Sequence, residues 1–291
     1  MLLRVVEILF PLFAIALVGF IVGKRLRPDM THANALNMDV FIPALIFTAL
    51  AGRDVPLADF VPLALATVAL IFGSGLFAWG VARLCNIQAK TLVPPMMFNN
   101  SGNLGLPLAV LAFGEAALAP AIVMFMLSNL LHFTVGAWLL DRHVRLWSVW
   151  KVPSVLASMV GLAFGLSGLE LWAPAMTAIR MLGDISIPLM LFALGVRLAQ
   201  SEFNALGIGL FGGLLRPLGG MLLAWLLLLV VPLPPLQQAL FFVFGSLPPA
   251  VLNYMFAERY AQEPERVASI VLVGNLLGIL TLPLALALML D

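Results

Sequence analysis

The sequence predicts an all-α membrane protein with ten transmembrane helices, arranged as two five-helix repeats of opposite orientation. Hydrophobic residues make up 63% of the 291-residue chain and charged residues only 10%, against roughly 25% charged residues in soluble domains. Apolar runs of about 18 residues, long enough to cross a bilayer, recur along the whole length. The second half of the chain also echoes motifs of the first. These observations predict one polytopic unit with no separate soluble domain.

Polar breaks between the apolar runs set the boundaries of the predicted helices. The helices are expected at residues 5–23, 33–51, 58–82, 91–113, 117–140, 152–169, 174–197, 205–231, 236–257 and 267–289. They group into a first repeat at 1–140, a cytoplasmic linker at 141–151 and a second repeat at 152–291. Lys24, Arg25 and Arg27 follow the first run, which is the opposite polarity to a cleavable signal peptide, so we expect this span to be retained.

The distribution of basic residues predicts the orientation of the chain. With the N-terminus outside, the lysines and arginines on the cytoplasmic side are Lys24, Arg25, Arg27, Arg83, Lys90, Arg142, Arg145, Lys151, Arg197, Arg259 and Arg266. Only Arg4, Arg53 and Arg180 then lie outside. Because basic residues accumulate in cytoplasmic loops, both termini are predicted to be extracytoplasmic.

An internal repeat supports the division into halves. The segment Asp39-Val-Phe-Ile-Pro-Ala-Leu-Ile-Phe47 shares Asp, Ile, Pro and Phe, at identical spacing, with Asp184-Ile-Ser-Ile-Pro-Leu-Met-Leu-Phe192. Three further sets of residues recur in the same order in the second half. Pro11, Gly19 and Gly23 correspond to Pro153, Gly161 and Gly165. Ala78-Trp79 corresponds to Ala224-Trp225, and Asn129-Leu-Leu131 corresponds to Asn275-Leu-Leu277. Since each repeat holds an odd number of spans, the second copy would enter from the opposite side. Inverted repeats of this kind are typical of secondary transporters.

Two predicted helices carry polar interruptions at corresponding positions. The fourth contains Phe98-Asn-Asn-Ser-Gly-Asn-Leu-Gly-Leu-Pro107, and the ninth contains Phe244-Gly-Ser-Leu-Pro-Pro-Ala-Val-Leu-Asn253. Prolines remove amide donors, and unpaired backbone groups are tolerated at membrane depth only where protein or water surrounds them. Paired interruptions indicate a binding site near the bilayer midplane. The candidate binding residues are Asn99, Asn100, Ser101, Gly102, Asn103, Gly105, Pro107, Ser246, Pro248, Pro249 and Asn253. We expect Pro107, Pro248 and Pro249 to prevent continuous helices.

The chemistry of this predicted site suits an anion. Two half-helices that begin at the interruptions would each present free amides and about half a positive charge. A carboxylate could bind there without a buried lysine, and no lysine lies in a predicted span. The alternative is that Asn99, Asn100, Ser101 and Asn103 only satisfy backbone groups freed by the break. We expect a mixture, with at least one direct contact to substrate.

These residues and the five-plus-five arrangement resemble the auxin efflux carrier family over essentially the whole chain. The resemblance is most specific at Asn100, Gly102, Asn103, Gly105 and Pro107. It implies the fold shared with bile-acid sodium symporters and sodium/proton antiporters, with scaffold helices 1, 2, 6 and 7 and a core of helices 3–5 and 8–10. In that core the broken helices 4 and 9 cross. Plant members export auxin, and bacterial relatives are proposed to move dicarboxylates such as malonate or malate.

Four residues are candidates for ion coupling or for support of the site. Asp39 and Asp184 lie within spans, where an ionised carboxylate costs roughly 2.5–3.5 kcal/mol; they either carry a coupling proton in a cavity or hydrogen-bond a neighbouring helix. Asn129 and Asn275 are equivalent on helices 5 and 10. They either bridge the broken backbones, which we favour, or coordinate a coupling cation, for which these spans supply no carboxylate.

Other residues in the spans have a structural interpretation as the first expectation. Arg216, within the eighth helix, is expected to snorkel to the cytoplasmic surface; the alternative is that it faces the core and pairs with a carboxylate or the substrate. His132 is expected to hydrogen-bond a partner rather than titrate. Trp147 and Trp150 are expected to anchor the membrane interface.

The leading functional hypothesis is a secondary transporter that exports or exchanges a small organic anion, such as a mono- or dicarboxylate or an auxin-like acid. Transport would follow elevator-type alternating access. It would be driven by a proton or by the membrane potential, which is worth about 2.3 kcal/mol per 100 mV for a monoanion. The nearest alternative is a sodium-coupled symporter of amphipathic organic acids. From other classes, an intramembrane aspartyl enzyme using Asp39 and Asp184, and a channel, are the competing hypotheses.

Composition argues against several cofactors and partners. A net charge of +1 does not indicate nucleic-acid binding. The single cysteine, Cys85, cannot form an internal disulfide, and no cluster of His and Cys offers a structural metal site. We expect no enzymatic activity and no cofactor beyond H⁺ or Na⁺ as a coupling ion. The expected partners are a small organic anion, the lipid bilayer of a bacterial inner membrane and, through the scaffold helices, a second copy of the chain.

Overall fold

A computed structural model of the protein describes residues 2–51, 57–143, 150–167, 169–200 and 205–289. These residues are helical, and they contain no β-strand beyond one isolated bridge. Most of the predicted linker at 141–151, including Trp147, lies outside the described residues. The prediction of an all-α membrane protein is confirmed.

The helices are numbered here in chain order. They are α1 (Leu2–Leu26), α2 (Thr31–Leu50), α3 (Val61–Leu84), α4 (Ala89–Met97), α5 (Ser101–Phe113), α6 (Glu115–Leu140), α7 (Pro153–Ser167), α8 (Ala173–Gln200), α9 (Leu206–Leu228), α10 (Pro235–Ser246), α11 (Leu252–Arg259) and α12 (Pro264–Met289).

Seven of these helices, within the described residues, are long and apolar enough to cross a membrane: α1, α2, α3, α6, α8, α9 and α12. Helices α5 and α7 are apolar but shorter. The predicted fourth helix is the interrupted pair α4 and α5, and the predicted ninth is the interrupted pair α10 and α11. Every predicted range therefore overlaps helix in the described residues, while the count of ten spans and the inverted arrangement of the repeats stay predictions.

One group of helices packs through glycine. Helix α1 lies along α8, and α2 lies along α7 and α8. A Cβ atom on Gly19 would be 2.1 Å from the carbonyl oxygen of Phe192, and one on Gly195 would be 1.9 Å from that of Ala16. The backbones of α1 and α8 therefore touch, which is the packing that small residues permit between helices in a membrane.

A second group surrounds the interrupted helices. Helix α9 packs on α10 and α12, and α3 packs on α4, α6 and α9. Fully buried side chains from both groups, such as Leu12 of α1 and Phe241 of α10, form one continuous apolar core. The polar interruptions are thereby enclosed by protein, as their unpaired backbone groups require.

Three helices contain a π-helical turn. The turns are Asn37–Phe41 in α2, Ser101–Gly105 at the start of α5 and His132–Gly136 in α6. Such turns insert one extra residue and occur often at functional sites. The second of them lies in the polar run that the sequence singles out, and it leads into α5 without interrupting the helix.

Candidate functional site

The two interruptions meet. The first break comprises residues 98–100, between α4 and α5, and the second comprises residues 247–251, between α10 and α11. Asn99 and Pro249 form an antiparallel bridge, in which the Asn100 amide donates to the Pro248 carbonyl at 2.7 Å and the Ala250 amide donates to the Phe98 carbonyl at 3.0 Å. We call this meeting point the crossing.

A carboxamide of the first break and one at the start of α11 each bind the end of the other interrupted helix. The Asn99 Nδ2 donates to the carbonyl of Phe244, in the last turn of α10, at 2.6 Å. The Asn253 Nδ2 donates to the carbonyl of Phe98, directly after α4, at 2.9 Å. Both side chains are buried. The Phe98 carbonyl also accepts from the Ala250 amide, and the Phe244 carbonyl accepts a long 3.4 Å bond from the Leu247 amide. Asn99 and Asn253 therefore add a second hydrogen bond to carbonyls at helix C-termini, and they link the two interrupted helices.

A third carboxamide joins α12 to both breaks. The Asn275 Nδ2 donates to the carbonyls of Pro249 at 3.0 Å and Val271 at 2.7 Å, while its Oδ1 accepts a 2.8 Å hydrogen bond from the Asn100 Nδ2. Asn100 and Asn275 are both buried. All the hydrogen-bonding capacity of the Asn275 amide hydrogens is used within the protein, which fits a bridging role for this residue.

The positive ends of two helices lie at the crossing. Helices α5 and α11 begin there, and the first amides of a helix have no partner inside it. The carbonyl of Asn100 accepts hydrogen bonds only from the later amides of Leu104 and Gly105. Asn103, in the first turn of α5, is partly exposed, and within the described part of the chain its carboxamide has no hydrogen-bond partner. Together with the Ser101 hydroxyl, it is a donor left available to a ligand, while the Oδ1 atoms of Asn99 and Asn253 are buried acceptors without a partner.

The remaining candidates from the polar runs have packing roles. A Cβ on Gly105 would lie 2.9 Å from the Leu247 side chain of the second break. Ser246 donates its hydroxyl to the Val243 carbonyl of its own helix at 2.7 Å. Pro248 and Pro249 lie in the second break, where no helix continues. Pro107, in contrast, lies inside the continuous helix α5, so the expectation that it interrupts the fourth helix is wrong. The preceding π turn accommodates its missing amide hydrogen.

A cavity of about 320 Å³ lies between α2, α3, α6 and α7. This volume is within the range of small-molecule sites. Most of its walls are apolar, and its polar groups come from Asn129, Ser154 and Ser158. Phe125 forms part of the wall, and its ring also packs on the start of α5, since a Cβ on Gly102 would be 3.1 Å from the Phe125 Cε2. One aromatic side chain therefore separates the cavity from the start of α5.

Asn129 differs from Asn275 in its surroundings. Its Nδ2 makes a long hydrogen bond of 3.4 Å to the Ser154 hydroxyl of α7, and the side chain lines the cavity. It does not contact either break by a hydrogen bond, so the bridging role expected for both asparagines applies to Asn275 alone. Trp150, expected at the membrane interface, also lines the cavity.

The two aspartates lie outside both breaks, Asp39 in the π turn of α2 and Asp184 in α8. Both are exposed on the isolated chain, and neither lines the cavity. A coupling proton and a hydrogen bond to a neighbouring helix stay the two predicted roles. Across the described residues, no group of three or more His, Cys, Asp and Glu side chains could hold a metal ion.

Arg216 faces the core, which was the alternative to snorkelling, but its partner is a backbone carbonyl. It is only 2% exposed, and its Nη1 donates to the Gly245 carbonyl, at the end of α10, at 2.9 Å. Snorkelling, the first expectation for this side chain, is therefore wrong. The signal in the sequence is the run Arg-Pro-Leu-Gly-Gly at 216–220, because paired glycines allow a neighbouring helix to approach closely.

These features define a polytopic membrane protein with an enclosed polar site where two interrupted helices meet. The chain belongs to the auxin efflux carrier-like family, since the model of that family, described as membrane transport protein, matches residues 4–144 and 137–286. The family resemblance seen in the sequence is thus confirmed, and the chain is a membrane transporter by family.

Curated relatives cover nearly the whole chain. A protein of Rhizobium meliloti (strain 1021) named putative malonate transporter is 24% identical, over 96% of this chain and 93% of the relative. An uncharacterized transporter of Methanothermobacter thermautotrophicus is 26% identical, over 96% of both chains. Another, of Methanocaldococcus jannaschii, is 22% identical, over 87% of this chain and 88% of the relative.

Proposed function

We propose that the protein is a secondary transporter of a small organic anion, whose carboxylate binds at the crossing. The observation that carries the proposal is the arrangement around Asn103. Its carboxamide is free of protein partners among the described residues and lies in the first turn of α5, next to amides that have no helical partner. Such a helix N-terminus favours a negatively charged group.

The hydrogen bonds at the carbonyl ends of α4 and α10 also support a negatively charged substrate. The carbonyls of Phe98, Phe244 and Gly245 accept hydrogen bonds from Asn253, Asn99 and Arg216. Their partial negative charges are thereby offset by donors. At the start of α11 the amides of Asn253 and Tyr254 already donate to the carbonyls of Ala250 and Val251, so the donors that support an anion are those at the start of α5.

The cavity suggests the shape of the substrate. Its apolar walls beside Gly102 and Phe125 suit the hydrocarbon part of an organic acid, and Asn129 with Ser154 could bind a second polar group. Malonate, from the name of the Rhizobium relative, is the first dicarboxylate to test. Monocarboxylates with an apolar body, including indole acids, are the second class.

Movement would follow elevator-type alternating access. In this proposal the group of α3–α6 and α9–α12 moves as a body against α1, α2, α7 and α8, carrying the crossing with it. The cavity lies between α2 and α7 on one side and α3 and α6 on the other, which is the boundary along which such a motion would occur. The ten spans, the inverted repeat and driving by membrane potential or a proton belong to the same proposal.

The experiment is transport by the purified protein in liposomes, combined with a thermal-stability screen. Mono- and dicarboxylates, indole acids and bile acids would be tested with and without sodium. We expect at least one carboxylate to raise the unfolding temperature and to be transported with saturation, without a sodium requirement. The variant Asn103→Ala should lose most of this stabilisation. The control Ser246→Ala should keep it, because its hydroxyl bonds only within α10.

Three results would contradict the proposal. Normal transport by the Asn103→Ala variant would show that the crossing is not the binding site. A strict sodium requirement would favour the sodium-coupled symporter. Flux that does not saturate would indicate a channel.

A further inference from the structure

The side chain of Arg216 lies directly against the end of α10. Its Nη1 donates to the carbonyl of Gly245 at 2.9 Å, and Gly245 precedes the last residue of α10. The Phe244 carbonyl, one peptide earlier, accepts from the Asn99 of the first break. The guanidinium is thus separated from the crossing only by the last turn of α10.

Close contact between two backbones fixes this position. A Cβ on Gly220 would lie 2.0 Å from the Gly245 oxygen and 2.2 Å from the Arg216 Nη1. A Cβ on Gly245 would lie 2.7 Å from the Gly220 oxygen. Helices α9 and α10 therefore touch at a pair of glycines, and the guanidinium occupies the remaining space beside them.

The charge of Arg216 has no acidic partner in the described structure. No carboxylate forms an ion pair with it, and its Nε has no hydrogen-bond partner. The helices packed on α9 are α3, α4, α10 and α12. Their sequences contain a single acid, Glu265 in the first turn of α12, and the cations Arg83, Lys90 and Arg266. A buried charge without a counter-ion is strongly unfavourable, so this one is balanced only by helix carbonyls and by whatever anion enters.

The equivalent helix of the first repeat has no such charge. The collinear echoes place Ala78-Trp79 of α3 against Ala224-Trp225 of α9, so the counterpart of Arg216 is Leu70. The carbonyl that follows α4, that of Phe98, accepts only from the amide of Ala250 and the carboxamide of Asn253. Of the C-terminal ends of α4 and α10, only that of α10 therefore accepts a hydrogen bond from a fully charged side chain.

We propose that Arg216 is a positioning residue that makes the crossing selective for anions, because its guanidinium cancels the negative end of α10. It acts through the α10 carbonyls and does not touch the substrate. The inference deepens the proposed function and rests on it. In this arrangement the field at the crossing comes from the amide ends of α5 and α11, without opposition from α10.

The test compares Arg216→Gln and Arg216→Lys in the full-length protein reconstituted in liposomes. Glutamine keeps an N–H donor and removes the charge, while lysine keeps the charge. The control Arg83→Gln removes the same charge from an exposed position in the last turn of α3. For each protein, KM and kcat are measured for the carboxylate that the wild type transports best, and inhibition is measured with its neutral carboxamide analogue.

We expect Arg216→Gln to raise KM for the carboxylate at least about tenfold, with kcat changed less than about threefold and the preference over the neutral analogue largely lost. Tenfold corresponds to about 1.4 kcal/mol. Arg216→Lys and Arg83→Gln should remain within about threefold of the wild type. If Arg216 had only a structural role, Arg216→Gln would lower the amount of folded protein without changing the preference for the carboxylate over its neutral analogue.

Several results would overturn the inference. One is a folded Arg216→Gln protein with unchanged KM and unchanged preference for the carboxylate. If neither Arg216 variant folds, the wild type gives the answer, since equal binding of the carboxylate and its neutral analogue would show that the crossing does not select by charge. If the wild type transports no carboxylate at all, the proposed function fails and this inference fails with it.

Discussion

The two breaks that meet at the crossing differ in how they satisfy an interrupted helix. The first break is built from carboxamides, and Asn99 and Asn100 donate hydrogen bonds to α10 and to α12. The second break is built from prolines, which have no amide hydrogen to satisfy, and its carbonyls are bound from outside by Asn100 and Asn275. The first break therefore supplies donors and the second mainly supplies acceptors.

Because of this difference, the donors that stabilise the crossing are not the donors that remain available to a substrate. Donors that are already used, such as those of Asn99, Asn100 and Asn275, hold the two breaks together. Among the described residues, the donors left over at the crossing are the Ser101 hydroxyl and the Asn103 carboxamide, both at the start of α5, whereas the Oδ1 atoms of Asn99 and Asn253 are buried acceptors without a partner. A site that binds substrate with one break and is held rigid by the other would explain why the two interruptions are so unlike in sequence.

Removal of Asn275 should produce the largest loss of stability. Asn275→Ala leaves the Pro249 carbonyl and the Asn100 carboxamide buried without partners, and each such group costs about 1–3 kcal/mol. We expect the free energy of unfolding to fall by about 2–5 kcal/mol, measured by SDS-induced unfolding in mixed micelles. The matched control Asn129→Ala should lose less than about 1 kcal/mol, because the only hydrogen bond of this side chain among the described residues is the long one to Ser154. Equal losses would show that the two asparagines are equivalent after all.

Glycine-to-alanine substitutions beside the two breaks should show that the second break is packed more rigidly than the first. On Gly274, a Cβ would lie 2.7 Å from the Pro249 ring, whereas on Gly102 it would lie 3.1 Å from the Phe125 ring. We expect Gly274→Ala to lower the free energy of unfolding by about 1–3 kcal/mol. Gly102→Ala should cost less, because Phe125 can shift toward the cavity, but it should weaken carboxylate binding. The comparison fails if Gly102→Ala is the more damaging change.

Coupling between Asn100 and Asn275 should be measurable in a double-mutant cycle. The two carboxamides share a 2.8 Å hydrogen bond, so the unfolding free energies of the alanine variants should be non-additive by about 0.5–3 kcal/mol. The same cycle for Asn103 and Asn275, which share no hydrogen bond, should be additive within about 0.5 kcal/mol. Additivity in the first cycle would mean that the bond contributes nothing to the crossing.

The smallest effects are expected from the two serines. Ser246→Ala removes a bond within α10 and should change the free energy of unfolding by less than about 1 kcal/mol, without altering carboxylate binding. Ser101→Ala should leave stability unchanged and weaken carboxylate binding severalfold. Isothermal titration calorimetry of the two purified variants measures the affinity of each for the carboxylate. Weaker binding in Ser246→Ala alone would move the substrate contact to the second break.

The interruptions could be predicted from the sequence because their cause is local. A run of Asn, Ser, Gly and Pro inside an apolar segment marks backbone groups that a membrane helix does not pair. The partners of those groups could not be predicted. That Asn99 binds the Phe244 carbonyl, or that Asn275 but not Asn129 reaches a break, depends on how distant helices pack.

One expectation was wrong for the same reason. Arg216 was expected at the surface because a long side chain usually finds one. It is buried because Gly220 and Gly245 bring α9 and α10 together, and this contact is visible only in three dimensions.

The most direct test is the structure of the full-length protein with the carboxylate that stabilises it best, compared with the ligand-free protein. We predict that the carboxylate lies at the crossing, within hydrogen-bond distance of the Asn103 Nδ2 and the first amides of α5, with the rest of the molecule toward Phe125 and the cavity. A carboxylate bound elsewhere, with Asn103 unoccupied, would contradict the assignment of the crossing as the substrate site.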